Sequence, residues 1–195
     1  MTKRAAQGRA THDQLIEVAT RLFAEHGYED TAIEEVLAAA GVSRGALYHH
    51  FAGKEALFAA VVQTLEDRIL AELAELTRDA PDAVATLRTA SLAWIDLASD
   101  PVIQQILLID APSVMGWEKW QAMNGDRALG AIRGIMTAIA DEGRLKPEFA
   151  DPFAHMILAA MDELALVIAR ADDPVAAREQ GREAIAELLR RLTTP

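Results

Sequence analysis

The sequence predicts an all-α protein of about nine helices, with a small N-terminal three-helix unit followed by a larger helical one. Three observations carry this expectation. No proline occurs before Pro81, and apolar positions in that stretch recur at helical rather than alternating spacing. From Pro81 onward, prolines at 101, 112, 147, 152 and 174 divide the chain into apolar segments of helix length, as befits a residue tolerated in a first turn but not mid-helix. The chain of 195 residues has no cysteine, which removes disulfides, thiolate metal sites and cysteine nucleophiles, and at this size a core forms without such staples.

Taken in order, Leu15, Ile16, Ala19, Leu22 and Phe23 form a one-sided stripe that ends at His26-Gly27, where glycine suits a left-handed cap. Thr31 with Glu34 three residues on is a capping-box signature; Ile33, Val36 and Leu37 then give a short buried face ending at Gly41. Ser43 offers its oxygen to the free N–H groups of a third helix, in which Leu47 and Phe51 share an inward face. A fourth helix runs from Gly53-Lys54 through Leu57, Phe58, Val61, Leu65, Ile69 and Leu73 to about Thr77. Further helices are expected at roughly 83–98, 102–110, 114–142, 152–170 and 175–192. The expected domains are 1–58 and 59–195, with helix four, about 53–77, linking them.

Phe153 to Ala169 is the most apolar segment, but His155, Asp162 and Glu163 make it too charged for a bilayer span, and a buried helix is expected. Lys3, Arg4 and Arg9 are not followed by an apolar stretch, so no signal peptide is expected and the cytoplasm is the default location. These three cations could instead form an arm reaching a minor groove.

The net charge of −11 argues at first sight against a nucleic-acid partner, but its distribution does not. Residues 1–60 carry a net of only −2, and Ser43 to Lys54 contains Arg44, His49, His50 and Lys54 with no acid. Two short helices joined by Ala40-Gly41-Val42-Ser43 have the form of a helix-turn-helix, whose second helix enters a DNA major groove. Arg44 with Tyr48, and Gly45 with His49, are four apart and share one arc, while Leu47 and Phe51 anchor the other side. Gly45 has no side chain to hold the backbone away from a duplex, and Arg44 can fork onto a guanine edge. Glu34 and Glu35 suit the dipole of helix two but would repel phosphate, and are expected to face away from the duplex.

The run Thr31…Ala40-Gly41-Val42-Ser43-Arg44-Gly45-Ala46-Leu47-Tyr48-His49-His50-Phe51…Lys54-Glu55-Ala56-Leu57-Phe58 resembles the TetR/AcrR family of transcriptional regulators over about residues 12–60. The resemblance implies a helix-turn-helix domain followed by a ligand-binding and dimerisation domain. It implies a DNA-binding regulator rather than an enzyme, with double-stranded operator DNA, a small-molecule effector and a second copy of the chain as partners, and no membrane. Repression is the family's commoner mode. Arg44, Gly45 and Tyr48 fall at the family's base-facing positions, and Thr31, His49, His50 and Lys54 at or near phosphate-contacting ones, with Ser43 opening the reading helix. Ala32 stands where the family often has a second hydroxyl residue.

Downstream, Trp94, Met115, Trp117, Trp120, Met123, Met136, Met156 and Met161 are large, adaptable side chains suited either to core packing or to a pocket for an apolar or aromatic ligand. His155, Asp162 and Glu163 form one polar stripe on the apolar helix, which faces a pocket or a subunit interface. Glu163 and Leu166, with Gly181, Ala184, Ile185, Leu188 and Leu192 on the last helix, are the expected contacts of a dimeric four-helix bundle. Asp110, near Pro112, reads either as a helix terminus or as a ligand contact. No cofactor or metal motif is present. The competing readings are a small enzyme using His155 with Asp162 or Glu163, and a helical interaction module that does not bind DNA.

Overall fold

A computed structural model describes residues 3–193, with side chains for 7–116 and 127–192. The element order is α1 (Lys3–Asp30), α2 (Ile33–Ala40), α3 (Arg44–His50), α4 (Lys54–Thr77) and α5 (Ala83–Leu97). A broken run follows, made of α6 (Pro101–Ile103), a π-helical turn (Gln104–Asp110) and α7 (Ala111–Met115). Then come α8 (Trp117–Asp141), a 3-10 turn (Pro147–Phe149), α9 (Ala150–Ala169) and α10 (Pro174–Thr193). With the broken run taken as one, nine helices and no strand occur among the described residues.

The chain divides into two compact units, residues 1–67 with 101–116, and residues 68–100 with 117–195. This differs from a single cut after residue 58. The first half of α4 belongs to the first unit, and the run 101–116 packs on α1 rather than on the helices that flank it in sequence. Periodicity shows that a segment has an apolar face, not which distant face it meets.

In the first unit Leu15, Ala19, Phe23, Val36, Leu47, Leu57 and Phe58 are buried. The rings of Phe23, Tyr28 and Phe58 meet at centroid distances of 4.8 to 5.7 Å. Gly27 breaks the α1 ladder in a left-handed conformation (φ 81°, ψ 165°) that costs L side chains heavily. Beyond the break, the Tyr28 N–H donates to Asp110 Oδ2 at 2.8 Å, and Gln105 Nε2 donates to Asp110 Oδ1 at 3.1 Å. Asp110 therefore closes the end of α1.

Two local expectations need correction. Thr31 does not cap α2: it is 1% exposed, and its hydroxyl donates to Gly27 O at 2.7 Å and Leu22 O at 3.2 Å. The α2 start is instead held by Glu35, whose Oε2 accepts the Ala32 N–H at 3.1 Å. Residues 3–10, expected to precede the first helix, are part of it.

The second unit packs α5, α8, α9 and α10 around Leu87, Ile95, Met136, Ile139, Ile157, Met161, Ile168, Ile185 and Leu189. Gly181 of α10 lies so close to α9 that an added Cβ would sit 2.9 Å from Ile168 Cδ1. Arg133 Nε pairs with Asp151 at 2.6 Å across α8 and α9, and Arg182 ties α10 to Asp96 of α5. Pro147–Ala169 is long and apolar enough to cross a bilayer by length and composition, with mean hydropathy 1.6. Here Ala154, Ile157, Met161, Ala165 and Ile168 bury one side of it against the unit's own core.

The junction at Gly27 yields a stability test. Gly27→Ala forces a side chain into the strained conformation and to 3.3 Å from Gln105 Nε2, at an expected cost of roughly 1–3 kcal/mol. Asp110→Ala strands the Tyr28 N–H and should cost about 1–3 kcal/mol. Urea denaturation reads both, and unchanged midpoints would dismiss the junction as a stabilising feature.

Candidate nucleic-acid interface

The turn between α2 and α3 is fixed by backbone chemistry. Gly41, in the left-handed region (φ 64°), ends α2 with Gly41 N–H to Ala38 O at 3.2 Å and Val42 N–H to Leu37 O at 3.2 Å. Gln14 Nε2 donates to Ala40 O at 2.9 Å and ties the turn to α1. Ser43 then caps α3, its Oγ accepting the Ala46 N–H at 3.2 Å. Leu47 is fully buried and Phe51 nearly so, which fixes the rotation of α3.

That rotation exposes Arg44, Gly45, Tyr48 and His49 together on the opposite arc. Tyr48 is 51% exposed, with its ring and hydroxyl open to solvent beside Arg44 and His49. A Cβ on Gly45 would have only Ser43 Oγ, at 4.0 Å, within reach, so packing does not require glycine there. A duplex backbone or base edge approaching this helix would exploit the missing side chain.

The remaining expected contacts are distributed around this arc. His50 is half-buried, edge-on to His12 at 5.9 Å between ring centroids and to His49 at 5.1 Å. Burial, then the neighbouring His49 and His12, push its pKa below the ordinary histidine value. His12, which the sequence did not single out, stacks on Phe51 at 5.0 Å. Lys54 sits over the Tyr28 ring, Nζ 4.2 Å from the centroid, and donates to Glu29 O at 3.2 Å. Its ammonium is therefore held at the start of α4. The Thr31 side chain is absent from this surface because it is buried.

Glu34 and Glu35, expected to behave alike, part company. Glu35 turns back onto Ala32 N–H, whereas Glu34 Oε1 is ion-paired with Arg44 Nη2 across α2 and α3.

The second unit distributes the other expected residues differently from their grouping in sequence. Met136 and Met161 are buried in its core with Trp94 packed against it, while Met115 belongs to the first unit. Trp117, Trp120 and Met123 lie outside the described side chains. His155 is exposed and faces Asp151, 4.0 Å away on its own helix. Asp162 is half-buried with no ion pair or hydrogen bond among the described residues, and burial pushes its pKa up to about 6.

Of the expected dimer contacts, Gly181 and Ile185 are buried within the chain's own α9–α10 seam and are corrected to that role. Glu163, Ala184 and Leu188 are exposed, and Leu166 and Leu192 half-buried. Met156, grouped in the sequence with the core or pocket side chains, and Val167, not singled out there, are large exposed apolar side chains on α9 beside them in the helical repeat.

Known proteins share both parts of this architecture. Residues 15–61 match the family described as bacterial regulatory proteins, tetR family, and residues 84–192 match the tetracyclin repressor-like C-terminal domain. The chain is similar to the crystal structure of a TetR-family transcriptional regulator from Pectobacterium atrosepticum, with 30% identity, a TM-score of 0.83, and coverage of 100% of this chain and 99% of that one. It is 27% identical over 156 residues to the HTH-type transcriptional repressor AcnR of Corynebacterium efficiens, covering 76% of each chain. It is also 25% identical over 149 residues to the TetC protein of transposon Tn10 from Escherichia coli, covering 76% of this chain and 75% of that one.

Asp162 gives this subsection its test. Its raised pKa means that the folded state holds a proton the unfolded chain releases, so the contribution of this one group to stability is full below about pH 4 and is lost as pH rises to about 6. Asp162→Asn mimics the protonated form and should remove that fall, stabilising the protein at pH 7–8 by on the order of 2 kcal/mol. Denaturation midpoints measured from pH 4 to 8 check this; parallel curves for the two proteins would refute it.

Proposed function

The chain belongs to the TetR family of bacterial transcriptional regulators, and from that premise we propose that it acts as a homodimeric repressor released from its operator by a small apolar or aromatic effector. It is a DNA-binding regulator and not an enzyme. The observation that carries the reading is the exposed, acid-free arc of α3, in which Arg44, Gly45, Tyr48 and His49 emerge together while Leu47 anchors the helix from behind. A groove-reading helix needs this division, since phosphate and base contacts come from one face and rigidity from the other.

In this reading Arg44 and Tyr48 meet base edges, and His49, His50 and Lys54 meet phosphates. Lys54, steadied by the Tyr28 ring and the Glu29 carbonyl, reaches the duplex with little rotamer freedom left to lose. DNA as partner places its action in the cytoplasm.

Dimerisation uses the outer faces of α9 and α10, where Met156, Val167 and Leu188 are exposed. These faces also account for a helix that is apolar nearly all round, one side meeting its own core and the other a second copy. The effector site we assign to the second unit, around Trp94, Met136 and Met161, with the half-buried Asp162 carboxyl, which has no partner among the described residues, as its polar anchor. An effector can weaken DNA binding only by its differential affinity for the two dimer geometries, commonly about 1–3 kcal/mol of coupling. Quenching of tryptophan fluorescence on titration, with parallel release of labelled DNA, tests that arm.

Fluorescence anisotropy with a duplex selected by the protein from a randomised pool tests the DNA reading. Wild-type affinity should fall steeply with salt; Lys54→Ala should weaken binding to all sequences and lower the salt slope by about one phosphate's worth, whereas Arg44→Ala should relax base preference. Salt-insensitive binding, or an equal loss on every sequence from Arg44→Ala, would contradict these roles. Leu188→Asp should yield monomers in sedimentation and at least about tenfold weaker operator binding, because a lone reading head forfeits its linked partner. A Leu188→Asp protein that remains dimeric would remove α10 from the interface.

A further inference from the structure

We propose that Glu34 is a specificity-determining residue for operator recognition, positioning the Arg44 guanidinium for a base edge while its charge disfavours non-cognate phosphate. The proposal rests on the DNA-binding reading of α3 given above. Its starting point is the ion pair between Glu34 Oε1 and Arg44 Nη2, which bridges the first turn of α2 and the first turn of α3. Both side chains are about three-fifths exposed, at 61% and 59%. A pair so exposed adds little to fold stability. Its effect lies instead in where it leaves the guanidinium.

Arginine presents five N–H donors in a planar fork. Glu34 engages one terminal nitrogen, so the other donors stay free for the paired acceptors of a guanine edge. A free arginine side chain samples many rotamers and gives them up on binding a base; one already tethered gives up fewer. Glu34 thus favours the bound geometry of Arg44 without touching DNA.

The carboxylate also acts at longer range. No acid occurs in Ser43 to Lys54, so that segment alone attracts phosphate of any sequence. Glu34, set against the segment's first cation, places a negative charge within a Debye length of that phosphate. On a non-cognate duplex Arg44 has no guanine edge to repay this repulsion, and the penalty stands alone. On the operator the oriented fork offsets it. The two effects act in the same direction on the ratio of operator to non-operator affinity. Glu35, its sequence neighbour, is turned onto the Ala32 N–H and takes no part.

The experiment is a double-mutant cycle read by anisotropy, using a duplex selected by the wild-type protein and a scrambled duplex of the same composition. Glu34→Ala should bind the scrambled duplex about two- to fivefold more tightly, by loss of one repelling charge. Its operator preference should fall about tenfold, the scale of one well-made base contact. In an Arg44→Ala background the same change should leave the preference unaltered, because no fork remains to be oriented. Glu34→Gln keeps the oxygen but not the charge; it should tighten non-specific binding as alanine does, yet retain more of the preference. Thermal midpoints should be unchanged in all Glu34 variants, which separates positioning from a structural role. An undiminished preference in Glu34→Ala, an equal loss with and without Arg44, or equal losses in Glu34→Gln and Glu34→Ala would each overturn the assignment. Failure of the wild-type protein to prefer any selected duplex would overturn the DNA reading itself, and is seen before any variant is made.

Discussion

The first unit depends on the break in α1 at Gly27. A continuous helix would leave no place for α2 to turn back, and no free N–H at Tyr28 for Asp110 to accept. Three side chains gather at the break: Thr31 donates to the Gly27 carbonyl, Asp110 accepts the Tyr28 N–H, and Gln105 donates to the other Asp110 oxygen. Tyr28, held there, supplies the ring on which Lys54 rests and joins Phe23 and Phe58 in the core. The position of the Lys54 ammonium is thereby tied to a carboxylate 82 residues beyond the amide it accepts.

The helix-turn-helix was legible because its signals are local. Ser43 as cap, Gly41 as stop, and the four-residue spacing of Leu47 and Phe51 each determine a contact within one or two turns. What the sequence concealed is non-local. Thr31 carries the residue type of a helix cap, yet a buried carbonyl competes for its hydroxyl and wins. Gly181 and Ile185 lie on an apolar face, and periodicity cannot distinguish a face that meets the same chain from one that meets another. Asp110 and Glu34 were visible as charges but not as partners, because nothing in a one-dimensional pattern pairs Asp110 with Tyr28 or Glu34 with Arg44.

The charge layout shows how a strongly acidic chain can remain compatible with an acidic polymer. The excess of Asp and Glu lies downstream of residue 60, and the acid that touches the reading helix does so through an ion pair. Screening over about 8 Å in physiological salt makes the local composition of α3 more important than the total. The same surplus keeps the reading helix from being a general polyanion trap, since the rest of the molecule repels nucleic acid wherever α3 does not engage it.

The π-helical turn at Gln104–Asp110 has an implication for chain length. Its wider ladder lets three successive side chains, Ile106, Leu107 and Leu108, all bury themselves, where a tighter spiral would swing one of them outward. Such a turn is an α-helix carrying one surplus residue. Excising any one of them would let the coil relax to the commoner spacing and rotate everything on one side by about 100°, taking Asp110 away from its amide. Residues here can be exchanged for others of like shape, but the number of them is fixed.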